Sequence, residues 1–534
     1  MAARLGQTGR TLFAAAFVSC CFASDVSAQK AGGILRIYNR DSPPSMSILE
    51  ESALSTVLPM MGVFNNLVLY DQHVAQNSDS SIVPELAAEW LWSEEGTRLS
   101  FKLRHGVKWH DGQPLTARDV KCTWDLLSGK ASEKLRINPR RSWYDNLEDV
   151  TVDGDDEVTF ALKRPQPSLI AMLASGLAPI YPCHVPPEEM RRHPIGTGPF
   201  KFTEFRPNES IRVIKNPDYW KQGRPYLDGI EYTIIPNRGT ALLAFETSQF
   251  DMTWPYDVPV PLLKDVQRQA PHATCETAPL NASRNVIMNR DVPPFDDPEI
   301  RRAIALSLDR QAFIDILDAG HGDIGGAMLP PPAGVWGLPL DQLKDLPGYD
   351  PDIEKSRAEA RGIMERHGYG PDKRLQVELA IRNIPIIRDP AIIFIDQLKT
   401  IYIDAELDPV ESVSWYAKVF RKDYAFGLNM TASAIDDPDQ QFYENYACRA
   451  QRNITSYCNP DLEKLFALQS VEPNHETRKK LVWEIDRKLQ EDIARPIIFH
   501  YRAVSCRWPY VKGLTIPVNS IYNGWRFEDV WLDR

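Results

Sequence analysis

"VPELAAEWLWSEEGTRLSFKLRHGVKWHDGQPLTARDV", residues 83–120, decides how the chain is read. Two histidines and several carboxylates stand close together, as they would in a metal or catalytic site. The local chemistry points elsewhere. Apolar and polar residues alternate on both sides of Glu94-Glu95-Gly96, the pattern of a hairpin. Asp111-Gly112 is a second turn signal, flanked by Leu103, Val107 and Trp109. Thr116 is followed three residues later by Asp119, a capping box that opens a helix over "ARDVKCTWDLL". His105 and His110 lie five apart across a bend, which does not match the histidine spacing of zinc motifs. The stretch is therefore expected to be scaffold, with His110 at a strand end and Asp119 capping backbone donors.

Outward from this segment, the chain has 534 residues, 43% hydrophobic and 25% charged, an ordinary globular composition. That length suggests about three domains. A formal charge of −11 excludes the basic face that a nucleic-acid binder needs. Arg4 and Arg10 precede the apolar run "TLFAAAFVSCCFA", and "VSA" ends at Ala28 with small residues at the cleavage positions. Residues 1–28 therefore read as a secretory signal peptide. Cys20 and Cys21 raise a lipoprotein alternative, which the bulky Phe17 disfavours. Beyond that segment no run of about 20 apolar residues could span a bilayer. Six cysteines remain in an oxidising compartment, where disulfides persist. Cys448 and Cys458 flank a short polar loop and are expected to pair; Cys122, Cys183, Cys275 and Cys506 offer no pairing argument. No C-x-x-C spacing supports a zinc site.

Short strands punctuated by Gly and Pro fill the first half, among them "GGILRIYNR" and the hairpin "LEDVTVDGDDEVTFALKRP". After about residue 290 the texture becomes helical. "FDDPEIRRAIALSLDR" has Asp297 as N-cap and Pro298 at the first helical position. "YDPDIEKSRAEARGIMERHGYG" reads as a helix starting at Asp350-Pro351 and stopping at Gly368. Helices alternating with apolar strands argue an α/β architecture.

The 83–120 stretch also resembles the family 5 extracytoplasmic solute-binding proteins, the peptide-, opine- and nickel-binding components of ABC importers. "PIGTGPFKF" (194–202), "NPDYW" (216–220), "PPFDDPEIRRAIALSLDR" (293–310) and "GWRFEDVWLD" (524–533) follow in the family's order. The resemblance implies a bilobal periplasmic-binding-protein fold of type II with an extra inserted domain and a ligand cleft between the lobes. It implies lobe 1 at 29–75, 196–285 and 500–534, the inserted domain at 76–195, and lobe 2 at 286–499. The partners it implies are a peptide or other small solute and the transmembrane permease subunits. The protein is expected to be a periplasmic monomer with no cofactor, no metal and no chemistry of its own.

A cleft needs apolar walls with a few placed polar groups. Candidates are Asn39 after the first strand, Trp254 and Tyr256 in "FDMTWPYDVPV", and Asn289 at the end of "NVIMNR". Further candidates are Trp415 in "SVSWYAKVF", expected at a strand end, and Tyr522 and Trp525 in "NSIYNGW". Arg136, Arg140 and Arg141 cluster beside Trp143, and Arg141 is the candidate for a ligand carboxylate. Peptide binders of the family carry an aspartate for the peptide's amino group a few residues before an Asp-Pro turn. Here that position is Ala434, with Asp436 and Asp437 at the turn itself. Asp436 is the remaining acidic candidate, although the departure puts ordinary peptide binding in doubt. The rival functions are a secreted hydrolase built on a carboxylate pair and a ligand-loaded sensor for a membrane receptor. G-x-S-x-G, H-E-x-x-H and a phosphate-binding loop are all missing from the sequence.

Overall fold

Strands that pair in parallel need a crossover of a dozen or more residues, and both halves of this chain supply them. The computed structural model describes residues 29–534; the signal peptide expected at 1–28, with Cys20, Cys21 and the cut expected after Ala28, lies outside these. In the first lobe, Ile34–Asn39 pairs in parallel with Gly229–Ile234. That sheet continues antiparallel through Ser210–Lys215 to Phe200–Arg206. In the second lobe five strands run in the order Ile403–Val410, Leu375–Arg382, Phe426–Ala432, Thr274–Met288, Ile497–Arg507. The first three are parallel, and helices such as Pro385–Lys399 pack beside them. A third unit is an antiparallel sheet of Ala87–Ser93, Arg98–Leu103, Glu157–Leu162 and Leu147–Val152. The result is a bilobal α/β fold carrying an additional domain.

Two long strands join the lobes. Thr274–Pro279 pairs with Arg502–Arg507 on the first-lobe side, where Met252 and Val258 also bridge to Arg507 and Val504. Ala282–Met288 pairs with Phe426–Ala432 in the second lobe, while Ser283–Asn285 resumes pairing with Ile497–His500. Between these halves the register shifts, from Pro279 to Ser283. Such an irregularity breaks the ladder and lets the strand bend. Cys275 pairs with Cys506 across the two strands just before the break. The four cysteines without an assigned partner thus form Cys122–Cys183 and Cys275–Cys506, while Cys448 pairs with Cys458.

The 83–120 stretch folds as its local chemistry dictates. The hairpin turns through Glu94 and Glu95, both at positive φ. Thr116 and Asp119 form the reciprocal cap of helix Ala117–Leu127, with the Asp119 carboxylate 2.9 Å from the Thr116 amide. His110 is wedged between Gly196 and Gly198, its Nε2 3.0 Å from the Gly198 carbonyl. Burial lowers its pKa to about 4, so it is neutral. Two sequence expectations shift. The helix expected at Asp350-Pro351 starts at Ile353, because Asp352 is the residue whose side chain caps the Lys355 amide. Trp415 lies in helix Ser412–Phe420 and not at a strand end: the strand closes at Val410, and Ser412 begins the next element.

Candidate functional site

In open α/β sheets ligands bind outside the carboxyl ends of the strands. The parallel strands of the first lobe end at Asn39 and Ile234, those of the second at Arg382, Val410 and Ala432. These ends face each other. Arg382 Nη2 pairs with the Asp41 carboxylate from the other lobe, and its Nε donates to Ser412 Oγ at 2.6 Å. Asn523, from the C-terminal segment, donates to the Ala434 carbonyl at 2.8 Å. The third unit closes one flank against helix Pro438–Asn445. Trp143 Nε1 donates to Glu444 at 2.9 Å, Arg164 to the Tyr443 hydroxyl at 2.8 Å, and Ser168 to Asp439 at 2.5 Å. On the other flank Arg238 meets Asp389 at 3.0 Å. Beside that pair a cavity of about 250 Å³ opens at the hinge, lined by Tyr256, Asp257, Arg284 and Tyr501 among others.

Inside this enclosure four arginines are more than nine-tenths buried: Arg40, Arg140, Arg382 and Arg452. Arg40 reaches Asp257 at 3.4 Å, and Arg452 reaches Glu444 at 2.8 Å. Arg140 donates to the carbonyls of Ile48 and Glu51, at 2.9 and 2.7 Å, and has no carboxylate partner. The Arg382 guanidinium lies 5.7 Å from the Tyr416 ring centre. Tyr522 donates its hydroxyl to the Ser52 carbonyl at 2.9 Å. Burial, with Tyr416 nearby, raises the Tyr522 hydroxyl far above its ordinary value, so it stays protonated. Burial first, and then a neighbouring guanidinium, pushes Arg382 and Arg140 down from their usual values: Arg40 acts on Arg382 and Arg452 on Arg140. For Arg452 burial acts the same way, but the Glu444 carboxylate together with Tyr522 and Tyr416 outweighs it and the net shift is upward.

Most residues singled out from sequence support this wall from behind. Asn39 Nδ2 donates to the Ser55 carbonyl, and its Oδ1 accepts from the Asp41 amide, fixing the turn that presents Arg40 and Asp41. Trp254 is wholly buried in the core of the first lobe. Tyr256 donates to the Pro517 carbonyl at 2.7 Å and packs edge-on against Trp525, whose Nε1 donates to Ile521. Asn289 ties its strand end to the Lys422 and Tyr424 carbonyls. Trp415 packs among Ile287, Ala380, Val419 and Ile454, while the helical turn swings its neighbour Tyr416 towards Arg382. Arg141 is exposed and Arg140 is the arginine that enters the cleft, because the turn at Arg141–Tyr144 buries the preceding residue. Asp436 accepts from the Val335 amide, and burial pushes its carboxyl up to about 7. Ala434 is buried in the main core with its carbonyl taken by Asn523.

Sequence reasoning missed Arg40, Asp41, Arg382, Glu444 and Arg452, while it offered Tyr416 beside Trp415 as an aromatic of the cleft. The available signal was a charge directly after an apolar strand, "LRIYNRD" and "VELAIRN". Among the described residues no group of His, Cys, Asp and Glu side chains is placed to hold a metal ion. No helix among them is long and apolar enough to cross a membrane.

The family model described as "Bacterial extracellular solute-binding proteins, family 5 Middle" matches residues 81–453. The probable di/tripeptide-binding protein 5 of Pseudomonas aeruginosa is 24% identical over 91% of this chain and 94% of its own. The periplasmic binding protein DppA from Helicobacter pylori, solved with the peptide STSA, superimposes with a TM-score of 0.81. It covers 95% of this chain and 99% of its own at 19% identity. AgaA from A. tumefaciens R10, solved with agropinic acid, gives a TM-score of 0.78 over 94% and 99% at 22% identity.

Proposed function

The chain belongs to family 5 of the bacterial extracellular solute-binding proteins, and from that premise we propose that it is the exported, periplasmic substrate-binding component of an ABC importer. It captures a peptide or other small organic solute by closing its lobes and delivers it, chemically unchanged, to the transmembrane permease subunits. It works as a monomer whose first lobe comprises 29–75, 196–285 and 500–534, with the inserted domain at 76–195 and the second lobe at 286–499. The observation that carries this reading is the meeting of the strand carboxyl ends from two sheets, joined by two strands whose pairing breaks between Pro279 and Ser283. A ligand held between the ends is enclosed when the lobes close, and only the closed shape needs to be recognised by the permease. The relatives support it: one is named for di- and tripeptides, and two solved structures of the same fold hold a peptide and agropinic acid.

The test is to purify the protein from its own periplasm and compare native and denatured masses. One solute per chain, released with its covalent structure intact, is the expected result. A solute recovered as a reaction product would make the protein an enzyme instead.

A further inference from the structure

We infer that the solute is an organic anion whose oxyanion groups bridge Arg40 of the first lobe to Arg382 and Arg452 of the second. This rests on the binding-protein reading and narrows it to a substrate class. The wall holds four guanidinium groups, from Arg40, Arg140, Arg382 and Arg452, against three carboxylates, from Asp41, Asp257 and Glu444. Each carboxylate is already engaged: Asp41 also accepts from Ser55, Asp257 from Tyr38, and Glu444 from Trp143 and Gln440. This wall therefore presents more guanidinium than carboxylate charge to a guest, and each of its three carboxylates is already paired.

The donors are also unfinished. Arg40 uses Nη1 for Asp257, Arg452 uses Nε for Glu444, and Arg382 uses Nε and Nη2. Apart from Tyr416 beside Arg382, the remaining guanidinium nitrogens of these three arginines meet no protein acceptor among the described residues, and the three side chains are only 8–9% exposed. Buried polar groups are otherwise almost always paired. A forked donor matches a carboxylate or a phosphate with two parallel bonds.

The arrangement also couples the anion to closure. Arg40 sits close enough to lower Arg382, and Arg140 and Arg452 oppose each other in the same way, across the junction of separate bodies. Closing the empty cleft brings like charges together in a dry space. An anion placed between them reverses the sign, so it binds the closed form better than the open one, which is what a ligand must do to shift the equilibrium.

Solute-free full-length mature protein is titrated by calorimetry with four probes: glutarate, phosphoglycolate, trialanine with a free amino terminus, and trilysine. The expected result is binding of glutarate or phosphoglycolate at least tenfold tighter than either peptide. The better of the two tells carboxylate from phosphate. Arg452→Gln is expected to weaken the anion at least tenfold. The double variant Arg382→Gln with Asp41→Asn removes a whole ion pair and so leaves neither charge behind without the other if the single variant fails to fold; it should weaken the anion likewise. Tight binding of trialanine or trilysine overturns the anion assignment while leaving the binding-protein reading intact. Anion affinity within twofold of the parent in both variants overturns it too, as does a parent protein that takes neither anion. The mass comparison of the periplasmic protein separates these results from a failure of the broader reading.

Discussion

Around Glu85 two carboxylates meet two cations, whereas around Arg382 four guanidiniums meet three carboxylates. In the first cluster Arg526 lies 2.8 Å from Glu85, Lys221 lies 2.7 Å from both Glu85 and Glu528, and Tyr219 donates to Glu528 at 2.6 Å. Asn65 adds a bond to Glu85 and receives one from Thr197. Burial would raise Glu528, but Lys221 and Arg526 hold it below its ordinary value. This cluster is neutral, its two carboxylates matched by two cations, although Arg526 Nε has no partner among the described residues. The cleft cluster is as buried but carries surplus charge and surplus donors. The difference teaches that burial of charge alone does not mark a binding site; an excess of guanidiniums over the carboxylates that meet them does.

Arg526 is where breaking that contrast should cost most. Arg526→Ala leaves Glu85 in the core with one cation fewer, and loss of one member of a buried pair costs about 3–5 kcal/mol. Urea unfolding should show that loss, with solute affinity of the folded fraction unchanged; weakened binding at full stability would move the Glu85 cluster into the cleft. Trp415→Ala should cost about 3 kcal/mol by leaving a cavity beneath the second-lobe sheet. Tyr416→Phe, one residue on, should leave stability alone and lower affinity. Swapped outcomes for the two would exchange their assignments.

Protonation gives a smaller effect. Burial holds both His110 and His500 neutral, with values near 4. Unfolded histidine takes a proton below about pH 6.5, so the unfolded state binds more protons and stability falls as pH drops from 6.5 towards 4. Each ring contributes at most about 1.4 kcal/mol per pH unit in that window. His500→Asn should flatten the slope of melting temperature against pH between 6.5 and 4.5; an unchanged slope would mean that His500 is protonated in the fold. Arg141→Ala is the smallest change expected, within about 0.5 kcal/mol in stability and with unaltered affinity, because the side chain stands in solvent.

The same contrast explains what was legible in the sequence. Glu85, Thr197, Tyr219, Arg526 and Glu528 all belong to the segments that carry the family resemblance, and the structure gathers them into one scaffold cluster. Turn pairs, capping boxes and alternation are local rules, so the hairpin at Glu94–Gly96 and the cap at Thr116 could be read directly. Cleft residues obey no local rule. Arg382 matters because Asp41, 341 positions away in the chain, comes to meet it. Aromatics drew attention as cleft candidates, and Trp254, Trp415 and Trp525 are buried among the apolar side chains of hydrophobic clusters. The Arg140–Arg141 choice turned on one residue of phase in a short turn, which composition does not reveal.

Small-angle scattering of the solute-free protein, before and after its own co-purified solute is added back, addresses the clamp most directly. The account predicts a smaller radius of gyration once the solute is bound, from rotation about the irregular pairing between Pro279 and Ser283. Superimposable profiles, with binding established by calorimetry on the same samples, would contradict it.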